Sequence, residues 1–142
     1  TALRANRARV IDANQDDMAR GRAAALSDAV LDRLRLDGAR LDALAQAVTT
    51  VAALPDPVGV TLRTTTRPNG LRIDAVTVPL GVIGVIFEAR PNVAVDAAAL
   101  CLKAGNACIL RGGSDAWASV AGLIAIVQEA LRAVVGRVLG EV

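Results

Sequence analysis

The chain has no histidine and no tyrosine, and only one tryptophan, one phenylalanine and two cysteines among its 142 residues. Without histidine there is no Ser-His-Asp or Cys-His pair, no imidazole base and no histidine metal ligand. One tryptophan and one phenylalanine make no series of aromatics on which successive bases could stack. The arginines alternate with aspartates instead of clustering, and the net charge is only +2, so nucleic acid is not an expected partner. Cys101 and Cys108 lack the CxxC spacing. Two cysteines with no visible secretory leader fit a reducing, cytoplasmic setting. The apolar stretches 75–87, broken by Pro79, and 117–127 fall short of the roughly 18 residues of a membrane span, so no membrane partner is expected.

What is present is aliphatic. Hydrophobic residues make up 54% of a chain about one domain long. Half of the charged residues lie before position 43, in segments with helical periodicity. Val10–Arg22 is a charged helical stretch. Leu26, Val30, Leu31 and Leu34 mark one face of a second helix, which Ser27 or Asp28 can cap. Leu41, Leu44, Ala45 and Val48 mark a third after Gly38. Pro55 and Pro57 end this region. Two alternating runs then flank Arg67-Pro68-Asn69-Gly70, and the Asn-Gly pair predicts a β-hairpin over about 60–80. Its mixed faces make it a candidate for pairing with another chain.

From Gly81 the pattern changes. Gly81–Phe87 is a continuous apolar run, read as a strand buried on both faces. Pro91 suits a helix start, Val93–Ala104 the helix, and Gly105 its stop. Ala107–Arg111 is a second buried strand, and Ser114 or Asp115 can cap a helix to about Ala133. Short links make this a βαβ unit with parallel strands. The expected class is α/β: N-terminal helices over 1–59, a hairpin over 60–80, and part of a Rossmann-like domain over 81–142.

Both strands leave through polar corners, Arg90-Pro91-Asn92 and Arg111-Gly112-Gly113-Ser114. Ligands of parallel sheets sit at such carboxyl ends, and helix N-termini there favour anions. The corners either face one crevice or are helix-start chemistry alone. No GxGxxG follows the first strand and no P-loop exists. The two cysteines read as core residues, and Lys103 as a favourable contact for its own helix's C-terminus.

The stretch from Val78 to Ala116, with "ARPNV", "DAAALCLKAGNA" and "ILRGGSDA" in this order, resembles the γ-glutamyl phosphate reductase (glutamate-5-semialdehyde dehydrogenase) family of the aldehyde dehydrogenase superfamily. The resemblance covers roughly 7–133 and only the N-terminal portion of that family. It implies NADPH-dependent reduction of L-glutamyl 5-phosphate in proline biosynthesis, through a thioester on a cysteine of a catalytic domain this chain lacks. It implies Asn92 as the amide that stabilises the acyl oxygen. It implies Arg111, Gly112, Gly113 and Ser114 at the cofactor's adenosine, with Ser114 in place of a carboxylate favouring the 2′-phosphate of NADPH. Phe87 and Glu88 would line the crevice, and Arg90 would meet an anionic group of the substrate. Asn92 and Arg111 are expected in the same cleft. The hairpin would build a homo-oligomer. The alternative is a non-catalytic nucleotide-binding or assembly module, or another member of the superfamily.

Overall fold

The computed structural model describes residues 2–139. Four helices open the chain: α1 (Ala2–Ala5), α2 (Arg7–Ala23), α3 (Asp28–Leu34) and α4 (Gly38–Ala53). The α2–α3 link closes with Leu26 N donating to the Gly21 carbonyl and Ala25 N to the Arg22 carbonyl. This double bond pattern places Ala25 in the left-handed region, at φ 53°, a position that glycine usually fills. Ser27 is the N-cap of α3, as expected, but its side chain makes no capping hydrogen bond. At α4 the cap is Asp37, whose carboxylate accepts from Arg40 N at 2.9 Å. That bond, more than the neighbouring arginines, holds its carboxyl below the ordinary range.

The hairpin is β1 (Thr61–Thr66) and β2 (Arg72–Val76), antiparallel. Its turn differs in detail from a two-residue Asn-Gly loop. Gly70 N donates to the Arg67 carbonyl, Arg67 N to the Leu71 carbonyl, and Gly70 alone takes a positive φ, 83°. Pro68 therefore leads a wider turn that glycine closes as a bulge. Every residue of both strands is exposed, including Leu62 at 72%.

Next come β3 (Val82–Ile86), α5 (Asn92–Lys103), β4 (Ala107–Arg111), a single 3-10 turn at Ser114–Ala116, and α6 (Trp117–Leu139). The strands are parallel, from Val82↔Ala107 to Ile86↔Arg111. Gly105, at φ 72°, stops α5. Gly105 N and Asn106 N donate to the Leu102 and Cys101 carbonyls. A Cβ on Gly105 would lie 2.8 Å from Pro79 Cγ.

Two sequence expectations need correction. First, β3 and β4 are not buried on both faces. Ile83, Val85, Cys108 and Leu110 are half-buried, whereas Val82, Ile86 and Ile109 are 66%, 77% and 67% exposed. All the described helices that cover the pair lie on one side. A continuous apolar run shows that both faces need cover, not that this chain provides it. Second, the stretch Ser114–Gly136 is long and apolar enough to span a membrane. The uninterrupted apolar run ends short of a span, but the helix continues past Glu129 and Arg132. In this fold one stripe of it is packed: Val120, Leu123 and Ile126 are buried, against Val10, Leu41 and Val95 or Met18, Leu34 and Ala94, while Leu131, Val134 and Val135 are exposed.

The start of α6 is capped from a distance. The fully buried Asp17 of α2 accepts from Ala118 N at 3.1 Å, Ser119 N at 2.7 Å and the Ser119 hydroxyl at 2.6 Å, and pairs with Arg20. Ser114 and Asp115 do not take this role. Asp17→Ala should destabilise the chain by ~3 kcal/mol, because it orphans buried donors on α6. Urea unfolding checks this, and a change below ~1 kcal/mol would refute the long-range cap.

Candidate functional site

The register Ile86↔Arg111 brings the two strand exits side by side. Phe87 N then donates to the Arg111 carbonyl at 3.0 Å, extending the ladder by one bond. The corners abut at the backbone. A Cβ on Gly113 would lie 3.5 Å from Glu88 Cα, and one on Gly112 would lie 3.0 Å from Val120 Cγ2 and 3.4 Å from Phe87 Cε2. The two glycines thus let the corners pack on each other and on α6. Between them opens a cleft of about 500 Å³, with Phe87, Glu88, Arg90, Gly113 and Ser114 in its wall, and Val30 and Arg33 of α3 opposite. Five of the eight expected site residues therefore meet in one place.

Asn92 and Arg111 do not meet. Arg111 shares the pleat parity of Ala107 and Ile109 and so belongs to the open side of the sheet. It lines a groove of about 330 Å³ with Gly112, Trp117, Val120 and Ile124. Asn92, on the first turn of α5, lines a pocket of about 350 Å³ with Arg33, Arg35, Arg40 and Asp96. The expectation of a single shared cleft is thereby corrected: the two residues line separate openings, neither of them the strand-exit cleft. Arg33 lines both that cleft and the Asn92 pocket.

The Asn92 amide donates to Asp96 Oδ2 at 3.0 Å. An amide nitrogen carries two protons, and no hydrogen bond among the described residues uses the other. Nor does any ion pair among them use Arg33, Arg90 or Arg111. Arg35 and Arg40 are committed to Asp32.

Sequence reasoning missed Arg33, Asp96 and Trp117. Arg33 reads as one more solvated charge on an amphipathic helix. Trp117 carried a signal: it is the chain's single tryptophan, and it lies 68% exposed beside Arg111.

No protein-family model matches the chain. γ-Glutamyl phosphate reductase of Geobacillus kaustophilus is 57% identical over 126 residues, which is 89% of this chain and 30% of that protein. The Rhodospirillum rubrum enzyme of the same name is 55% identical over 132 residues, 93% and 31% respectively. The crystal structure of γ-glutamyl phosphate reductase from Thermotoga maritima superposes with a TM-score of 0.89 at 41% identity, over 92% of this chain and 32% of that one. The Saccharomyces cerevisiae structure gives 0.89 at 35%, over 99% and 36%. The chain resembles the N-terminal portion of γ-glutamyl phosphate reductase. It spans about a third of the length of these relatives.

Likeness to γ-glutamyl phosphate reductase raises the question of a thiolate, and neither cysteine here is suited to be one. Cys101 is buried in the middle of α5. Cys108, on the covered side of β4, has its pKa raised by burial first and by the neighbouring Cys101 thiol second. Both side chains act as small apolar fillers. Lys103 does serve a helix C-terminus, but another helix's: its ammonium donates to the Ala52 carbonyl at the end of α4, at 3.0 Å. Iodoacetamide at pH 8 should alkylate both thiols at least about tenfold faster in urea than in the native chain. Equal rates would return one of them to the list of reactive groups.

Proposed function

We propose that this chain supplies the cofactor-binding part of an NADPH-dependent reductase that converts L-glutamyl 5-phosphate to L-glutamate 5-semialdehyde and phosphate. The observation that carries the reading is the meeting of two parallel strand exits in one cleft, with an uncommitted amide proton and an unpaired arginine lining further openings of the same chain. The identity to reductases of that name supports it.

The residues present fit the cofactor. Arg111 brings a guanidinium with no carboxylate partner among the described residues, and Trp117 and Ile124 give the same groove an aromatic and an aliphatic wall. An adenine ring suits those walls, and a 2′-phosphate suits the arginine. No Asp or Glu lines the Arg111 groove to repel it. When bound, NADPH supplies hydride to the acyl carbon.

The chain's own contribution is electrostatic. As an acyl carbon becomes tetrahedral, its oxygen gains charge, and a fixed donor nearby stabilises that charge more than the ground state. Asn92 is such a donor: α5 fixes its backbone, and Asp96 holds one amide proton and so fixes which end of the amide points outward. The attacking thiolate comes from outside this chain, since neither cysteine here is suited. The hairpin, exposed on both faces, joins copies of the protein edge to edge.

The assay is oxidation of glutamate 5-semialdehyde with NADP⁺ and phosphate, the reaction in reverse. The 142-residue chain alone should show no turnover, and turnover would contradict an external nucleophile. In the protein carrying a catalytic domain, Asn92→Ala should lower kcat about 10²-fold with cofactor affinity unchanged. Unchanged kcat would remove the oxyanion role. Arg111→Glu should weaken NADPH binding more than NADH binding, and equal losses would move the 2′-phosphate elsewhere.

A further inference from the structure

The hairpin turn holds a reactive pair that the candidate site does not use. The chain has five asparagines, and only Asn69 is followed by glycine. Asn69 is also the only one that is exposed. Asn14 and Asn106 are buried, and Asn6 and Asn92, at helix starts, are half-buried. The Asn69 side-chain carbonyl is an electrophile, and the Gly70 amide nitrogen is a nucleophile one residue on. Attack closes a five-membered ring, which a side chain at the second residue would crowd. Gly70 has none, and a Cβ there would meet nothing within 4 Å, so no neighbour pins the turn. Leu71 N donates to Asn69 Oδ1 at 3.1 Å. That donor sits on the oxygen that gains charge as the acyl carbon becomes tetrahedral. One bond opposes the attack: Gly70 N donates to the Arg67 carbonyl at 2.9 Å and must first be released. Both groups are exposed, and such turn bonds open at little cost.

We propose that Asn69 is a modification site, where the chain loses an amide by its own chemistry and the hairpin turn is lengthened to isoaspartate. Gly70 N bonds to Asn69 Cγ, the bond from Cγ to the side-chain nitrogen breaks, and ammonia leaves with the Gly70 proton. Water then opens the imide at either carbonyl, and Gly70 N regains a proton. Opening at Cγ gives aspartate. Opening at the main-chain carbonyl gives isoaspartate, whose backbone runs through the side chain and gains one methylene. Asn69 Oδ1 becomes part of the new peptide link and no longer meets Leu71 N, and Gly70 N moves away from Arg67. The bonds that set the turn are lost, and with them the spacing that places Thr66 opposite Arg72. The aspartyl product keeps the acceptor and the spacing, and so keeps the turn. The exposed isoaspartyl carboxylate suits a methyltransferase that uses S-adenosylmethionine: the methyl passes to the carboxylate oxygen, Gly70 N expels methanol, and the imide re-forms. This inference goes beyond the reductase reading and does not rest on it.

The test is peptide mapping by mass spectrometry of the 142-residue chain, held folded in mildly alkaline buffer and sampled over time. Asn69 should turn to acid about tenfold or more faster than any other asparagine, a barrier lower by roughly 1.4 kcal/mol. Labelled methyl from S-adenosylmethionine, transferred by a protein-isoaspartate methyltransferase, should appear on the same time course and map to Asn69. In ¹⁵N correlation spectra the β1 and β2 amides of the isoaspartyl form should lose exchange protection, and those of α2 and α6 should keep it. Asn69→Ser keeps a turn-forming side chain and has no acyl carbon to attack, so it should show neither change. Asn69→Asp adds the charge without lengthening the backbone, and its hairpin should stay protected when freshly prepared. An Asn69 amide that lasts as long as those of the other asparagines overturns the site. Strand amides that stay protected in the isoaspartyl form, or lose protection in fresh Asn69→Asp, overturn the lengthened turn as the cause.

Discussion

A buried carboxylate holds the helical layer together. Asp17 is surrounded by donors, two backbone amides and a hydroxyl from α6 with the Arg20 guanidinium beside it. One turn earlier, Asn14 continues the strip: it donates to the Leu34 carbonyl at 2.8 Å and to the Ser119 hydroxyl at 3.0 Å, and accepts from Leu36 N at 2.7 Å. Burying such groups is costly unless each is met, and no buried side-chain nitrogen or oxygen among the described residues is left without a partner. The strip therefore tolerates one arrangement of α2, α6 and the α3–α4 link. Apolar clusters on both sides of it are less selective, because Leu, Val and Ala pack in many ways.

That constraint reaches the site. α3 carries Arg33 and is held at its C-terminal end through the Leu34 carbonyl. α5 carries Asn92 and packs on α4 and α6 through Val95 and Ala98. The distance between guanidinium and amide is thus set by the polar strip at one end and by aliphatic packing at the other. The strand-exit cleft depends on a different device, two glycines at Gly112 and Gly113 that bring β4's corner against Phe87 and Glu88. Rigid helices and strands thereby deliver side chains into openings that border each other, with Arg33 on the shared wall.

The local order was legible in the residues. Helix periodicity, the Pro91 start and the Gly105 stop, the hairpin and the parallel strand pair are all written in spacing and in residues with restricted backbones. What failed was non-local. An apolar run could not say whether its second cover belongs to this chain, so the open side of β3 and β4 was misread. Two strand exits that abut need not share one opening: Arg111 lies on the open side of the sheet, in a groove that does not include Asn92. Asp17 looked like any charge on an amphipathic helix, although its partners lie a hundred residues on. Asp96 was one polar residue on an apolar helix, and only the coordinates pair it with Asn92.

The open side of the strand pair has a practical side. Val82, Ile86 and Ile109 form a sticky aliphatic face, and each strand also offers one unpaired backbone edge among the described residues. Leu80, 86% exposed, extends it. A polypeptide of this length, handled by itself, will be a concentration-sensitive solute. Dilution, cold and mild detergent will govern its behaviour in the tube more than any change in its well-knit helices.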